Sequence, residues 1–273
     1  MKNILVPVDF SKASYNAAEY ALSLAEHFHA KIILINAVAP SVMVDDSILA
    51  SVMITQAEIL DASKEALDKE IKSLSEKTIA SEGFVMEGYP SDMIKKIAEE
   101  KHADLIVMGM KGKGKSNSVF GSTTTAIIRK SNFPVLVIPE NAVYHPINTI
   151  TLATQFHDDI ERERYALLVS IAKENNSFLH LLNVQKPEKE MKNKEVVGKM
   201  REHFAFAGLK HSFHSMEDKN VIEGINRFIE ENPSDVLAMM AHKHSFFERM
   251  LGKVHTREMS YATKIPLLVL QDK

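Results

Sequence analysis

The sequence predicts an α/β protein of two tandem doubly wound domains, each a five-stranded, mainly parallel sheet with helices on both faces. Three observations carry this expectation. The chain has 273 residues, which at about 150 per domain leaves room for two. It repeats itself at roughly half its length. Within each copy, short apolar runs alternate with stretches of helical periodicity, the pattern that right-handed crossovers turn into a parallel sheet.

The repeat is read segment by segment. Asn3–Phe10 lies over Asn148–Phe156, and Tyr20, Ala21 and Leu22 lie over Tyr165, Ala166 and Leu167. Lys31–Val38 lies over Ser177–Val184, Asp104–Met108 over Asp235–Met239, and Phe133–Ile138 over Ile265–Leu270. The first copy is longer in its middle, around Val42–Leu60. Pro139 and Pro146 punctuate a boundary near Asn141–Pro146, giving domains 1–142 and 146–273.

In the first copy, Asn3–Val8 is apolar without alternation, as in a strand buried on both faces. Ser11 or Ser14 caps the next helix, which puts Ala18, Ala21, Leu22 and Ala25 on one face. Ile32–Val38 is the second strand. A long helix follows over about Ser47–Ile79, then a short strand near Gly83–Glu87. A helix opens after Pro90 with Ile94, Ile97 and Ala98 inward. Leu105–Met108, a glycine-rich loop, a helix through Thr123–Lys130 and a last strand, Val135–Ile138, complete the copy. The second copy places strands at Thr149–Thr154, Phe178–Val184, near Leu209–His214, at Val236–Met240 and at Leu267–Leu270. The last strand of each copy is an edge, expected to pair either between the halves, as an intramolecular pseudo-dimer, or between chains, as a homodimer.

Composition removes several function classes. The charge balance of 33 basic against 36 acidic residues makes no electrostatic case for nucleic acid or an anionic membrane. The chain has no cysteine, which excludes disulfides, Cys-based zinc sites, iron–sulfur clusters and thiol catalysis. The first ten residues do not read as a signal peptide, and no apolar run is long enough for a membrane span. A cytoplasmic location is the expectation. GxSxG and HExxH are absent, as are HxGH and SGGxDS, so efficient enzymatic turnover is not expected, at most slow ATP hydrolysis.

Sheets of this type bind ligands at the carboxyl ends of the strands, where the strand order reverses. That rim carries Pro7, Val8 and Asp9, then Ala37, then Met108 and Gly109. Four of the ten glycines follow closely: Gly109, Gly112, Gly114 and Gly121. Lys111, Lys113 and Lys115 lie between them, and Ser122, Thr123, Thr124 and Thr125 come next. Glycines that turn amide N–H groups inward, a helix N-terminus and nearby cations together suit a phosphate. Gly109-x4-Gly114-Lys115-Ser116 also fits the P-loop pattern literally, which would make an ATPase using Lys115. No later strand ends in an Asp to hold its metal, since Asp104 and Asp235 precede their strands.

The segment VPVDFS near the start, VMG ending the fourth strand, and the glycines closing on Gly-Ser before a helix resemble the universal stress protein family, tandem two-domain type. The likeness covers nearly the whole chain and implies a Rossmann-like fold of the adenine nucleotide alpha hydrolase type. It also implies an adenine nucleotide, ATP with Mg²⁺ as the accompanying ion, and a regulatory or interaction role with a protein partner. By this resemblance Asp9, with Pro7 and Val8 beside it, sits at the adenine and ribose end. The Ala37 backbone meets the adenine, and Met108 belongs to the same rim. Gly109, Lys111, Gly112, Gly121, Ser122, Thr123 and Thr124 surround ribose and phosphates. The family motif is G-x2-G-x9-G-[S/T], whereas the spacer between Gly112 and Gly121 here is eight residues.

The second copy loses these features. Gln155 stands for Asp9, Met240 for Gly109, Lys243 for Gly112 and Lys253 for Ser122, while Gly252 persists. A non-nucleotide copy is expected, and a scaffold binding a partner or an apolar ligand is the alternative function. His242, His244 and His255 fall in its degenerate loop, where a metal site is the less favoured reading. His203, His211 and His214 flank a short strand and are expected to face water. The Met-containing stretch Val42–Ile54 reads as core or as an apolar interaction surface.

Overall fold

The computed structural model describes residues 1–40, 55–76, 79–110, 120–154, 162–185, 206–241 and 264–271. The first copy runs β1 (Asn3–Pro7), α1 (Lys12–Phe28), β2 (Lys31–Val38), α2 (Gln56–Glu76), β3 (Ser81–Glu87), α3 (Pro90–Glu100), β4 (Leu105–Gly109), α4 (Ser122–Lys130) and β5 (Val135–Ile138). The second runs β6 (Thr149–Ala153), a 3₁₀ turn (Arg162–Tyr165), α5 (Ala166–Glu174), β7 (Phe178–Gln185), β8 (Lys210–Glu217), α6 (Val221–Glu231), β9 (Val236–Ala241) and β10 (Leu267–Gln271). The expected start of the second helix at Ser47, and the stretch Val42–Ile54, lie outside the described residues. That helix ends at Glu76, short of Ile79.

Local sequence explains the helix starts. Ser11 caps α1 in a reciprocal box with Ser14. Pro90 opens α3, where its missing N–H costs nothing. The Asn220 side chain accepts from the Ile222 N–H at the head of α6. At the N-terminal edge of each half-sheet an aspartate does the same work. Asp104 accepts the N–H groups of Lys2 and Asn3, and Asp235 those of Asn148 and Thr149. These two residues therefore tie strand entries together, far from the ligand rim.

All ten strands form one sheet in the order β3-β2-β1-β4-β5-β10-β9-β6-β7-β8. Every neighbouring pair is parallel except the central one. There β5 and β10 run antiparallel, with Val137 opposite Leu267, Leu136 opposite Leu268 and Val135 opposite Val269. The edges thus pair within the chain. Because the seam is antiparallel, the carboxyl-end rims of the halves face opposite edges of the sheet.

Alternation along the strands builds two cores. On one face Ile4, Val6, Leu136, Leu152 and Leu268 pack with α1, α2 and α5. On the other, Leu5, Ile106, Val137, Leu182 and Leu267 pack with α3, α4 and α6. Strand β1, hydrogen-bonded on both sides and covered on both faces, buries Ile4, Leu5 and Val6 completely. The run without alternation in the sequence is explained by that position.

Leu268 is 1% exposed at the seam. Leu268→Ala is expected to cost about 2–5 kcal/mol in urea unfolding. Asp68→Ala, on the exposed side of α2, should change stability by less than about 0.5 kcal/mol.

Candidate functional site

In the first half the strand order reverses between β2-β1 and β4-β5, so the crevice opens above β1 and β4. The chain leaves β1 through Val8, whose N–H donates to the Ile35 carbonyl at 2.8 Å. The Asn36 amide donates to the Val8 carbonyl at 2.7 Å. Phe10 adopts the left-handed region at φ 57°, which turns the chain into α1. Asp9 Oδ1 accepts the Ser11 N–H at 3.0 Å, and the Asp9 N–H donates to Ser14 Oγ at 3.3 Å. The Asp9 carboxylate therefore helps build the turn that starts α1. Val8 is 4% exposed and faces the core beneath α1. Pro7 and Ala37 are half-buried at the rim.

Strand β4 delivers the glycine loop. The Met108 side chain lies in the core with Met110 and Phe120, so only its backbone faces the rim. Gly109 has a different constraint. A Cβ there would lie 2.6 Å from the Ala13 carbonyl oxygen and 2.8 Å from the carbonyl carbon. The first turn of α1 thus rests on the bare backbone of β4.

The loop is clamped where it leaves and returns. The Met110 N–H donates to the Ile138 carbonyl at 2.9 Å, and the Gly121 N–H donates to the Met110 carbonyl at 2.8 Å. Thr124 Oγ1 donates to the Gly109 carbonyl at 3.1 Å, tying α4 to β4. The Gly121 N–H and the Thr124 hydroxyl, both expected at the phosphates, are engaged in this closure. Three first-turn N–H groups, of Ser122, Thr123 and Thr124, have no acceptor within the helix by helix geometry. They carry the positive end of the α4 dipole toward the rim. The Ser122 side chain is exposed and Thr123 half-buried. Lys111, Gly112, Gly114, Lys115 and Ser116 lie outside the described residues, as do His203, His242, His244 and His255.

A family model described as the universal stress protein family matches residues 1–139. The chain belongs to that family. A universal stress protein of Methanocaldococcus jannaschii is 34% identical over 138 residues, 50% of this chain and 81% of the relative. One of Synechocystis sp. is 33% identical over 143 residues, 50% of this chain and 85% of the relative. A solved universal stress protein from Archaeoglobus fulgidus superposes with a TM-score of 0.76 at 18% identity, covering 98% of both chains. At that identity the match speaks to the fold, and it does so across both halves.

The two halves of this universal stress protein differ where Gly109 matters. Met240, its counterpart, is 5% exposed and belongs to the same core as Tyr165 and Leu168. Helix α1 has 17 residues and begins five positions after β1, whereas α5, the first α-helix described in the second half, has 9 and begins at Ala166. The residues that would carry the corresponding first turn in the second half lie outside the described residues. Position 109 could be recognised as special from sequence, but its role as a helix seat could not.

Two further features escaped the sequence reading. Asn36 sits 6% exposed in an apolar strand, and Asn183 sits likewise in β7. Their shared place in both copies was the available signal. His214, expected to face water, is instead half-buried against Phe228 and His180. His211 remains exposed. Among the described residues no three His, Cys, Asp or Glu side chains group as metal ligands, and no helix is long and apolar enough to cross a membrane.

Gly109→Ala should push α1 off β4 and cost about 1–3 kcal/mol by denaturant unfolding, the usual range for overpacking. Thr124→Val should cost about 1 kcal/mol through loss of one neutral hydrogen bond.

Proposed function

We propose that residues 1–142 bind an adenine nucleotide at the β1–β4 rim, ATP with Mg²⁺ in the fullest form, and that residues 146–273 form a copy without a nucleotide. The observation that supports this most is the clamp between Met110 and Gly121. Its bond brings the loop ends together whatever the spacer length, so an eight-residue spacer still returns the chain to the head of α4. The open N–H groups of Ser122, Thr123 and Thr124 then suit phosphate oxygens. Lys111 and Gly112 complete that end of the proposed site, with Gly109 and Gly121 shaping it through the backbone. Asp9, Pro7, Val8, Ala37 and the Met108 backbone form the base and ribose end. Mg²⁺ in such a site is held chiefly by the phosphates, with water completing its octahedron.

No base positioned against a γ-phosphate stands among the described rim residues. The proposed role is therefore regulatory. Nucleotide orders the loop, the ordered loop changes a surface for a protein partner in the cytoplasm, and hydrolysis is at most slow. Homodimerisation belongs to the same proposal. A non-nucleotide scaffold is the second reading, favoured by the structural reasons found for Gly109 and Thr124.

Thermal unfolding with ATP, ADP and AMP separates the two. Ligand at 100 times its dissociation constant should stabilise the fold by about 2.7 kcal/mol, and no shift with any of the three favours the scaffold. Gly121 has φ −63° and ψ 158°, which any residue adopts. Gly121→Val should therefore keep the fold and weaken ATP binding at least about ten-fold by calorimetry, about 1.4 kcal/mol. Lys115→Ala should weaken affinity, and only a P-loop ATPase would lose turnover by it.

A further inference from the structure

The polar cluster at the far end of the sheet lies apart from the nucleotide rim and is independent of it. Strands β7 and β8 are parallel, with His180 opposite Ser212 and Leu182 opposite His214. Strand alternation turns all three polar side chains to the face beneath α6, where Leu182, Val184 and Phe228 also lie. His180 Nδ1 is 3.0 Å from Ser212 Oγ and 3.0 Å from His214 Nε2, and Ser212 Oγ is 2.7 Å from His214 Nε2. Three potential donor atoms thus form a nearly equilateral triangle. Phe228 walls it, with its ring centroid 5.6 Å from that of His180 and 4.7 Å from that of His214. Phe178 stands 5.0 Å from the His180 ring.

Protons alone cannot make all three edges of this triangle full hydrogen bonds. A neutral imidazole nitrogen either donates or accepts. If Ser212 donates to one imidazole, that nitrogen has no proton, and the other must serve both remaining edges with a single N–H. At most two of the three contacts are full hydrogen bonds. Protonating both rings sets two cations against each other. A cation bound by all three atoms would replace the unmade third hydrogen bond with a coordinate bond to each. Metal–nitrogen bonds of about 2.1 Å at right angles place cis ligands about 3.0 Å apart. The triangle has that edge already. Tetrahedral edges of about 3.4 Å would need the rings to separate by a few tenths of an ångström.

We propose that His180 Nδ1, Ser212 Oγ and His214 Nε2 form one face of a site for a divalent transition-metal ion of the Ni²⁺, Cu²⁺ or Zn²⁺ class. Imidazole suits these metals, and water would complete the shell. Burial, and then the neighbouring His214, hold the His180 ring below the usual histidine range, and burial does the same for His214. The ion would join two parallel strands at the outer end of the sheet, and among the described residues no strand pairs beyond β8.

The full chain is titrated with Ni²⁺ and, separately, Zn²⁺ by calorimetry at pH 7.5, in wild type, His180→Gln, His214→Gln and the pair His242→Gln/His244→Gln. The expected result is that His180→Gln and His214→Gln each lose one equivalent, or weaken it about 10–100-fold. The pair at 242 and 244 should keep that equivalent. Circular dichroism reports whether each variant folds, and Ser212→Ala, which should weaken binding less than either histidine change, serves if a glutamine variant does not. Wild type without binding at 1 mM metal, or unchanged stoichiometry and affinity in the folded variants at 180, 212 and 214, overturns the proposal.

Discussion

Val135–Ile138 and Leu267–Leu270 are wholly apolar strands, and each would end its own half-sheet with a row of unpaired N–H and C=O groups if the halves stood apart. Exposed edges of that kind are templates for aggregation. Their antiparallel pairing removes both at once and makes ten strands one sheet. The strands left outermost, β3 and β8, are the ones whose side chains are only partly buried. They carry Glu82 and Glu87, and Lys210, His211 and Glu217, charged or polar groups that an edge tolerates. The same seam turns the halves upside down relative to each other, so their carboxyl-end rims face opposite edges of the sheet.

The two rims were then free to diverge, and one residue shows how. At the end of β4, Gly109 leaves room for the Ala13 carbonyl, so α1 starts early and its capped first turn lies beside the rim. Met240 stands at the equivalent position in the second half with its side chain in the core, and the first described helix turn there is Arg162–Tyr165. A glycine that invites a phosphate reading is in the first place a packing requirement between a strand and a helix. The two roles are compatible, because a backbone without a side chain also leaves room above the strand. The clamp from Gly121 to Met110 works at the same level. It is main-chain geometry, indifferent to the side chains between.

The histidine cluster belongs to a different economy of forces. Toward the end of the sheet the requirement for apolar side chains is relaxed, so His180 on β7 and Ser212 and His214 on β8 persist under α6 with aromatic neighbours. Their mutual distances follow from parallel register alone, since residues on adjacent strands sit about 4.8 Å apart and side chains converge from there. No spacing along the chain encodes that convergence, because 32 and 34 residues separate His180 from its two partners.

Periodicity and self-similarity determined the strands, the helices, the duplication and the rim position of Asp9 and Gly109, because burial on both faces leaves a one-dimensional trace in apolar runs. The family followed from a short glycine pattern, because backbone requirements of a tight loop must be met by residue identity. Tertiary structure alone decided the inverted seam, the seat of α1 on Gly109, the engagement of Thr124 and Asn36, and the triangle of polar atoms on β7 and β8. Each of these depends on which strand lies beside which and in what register, a distance in space that the order of residues does not carry.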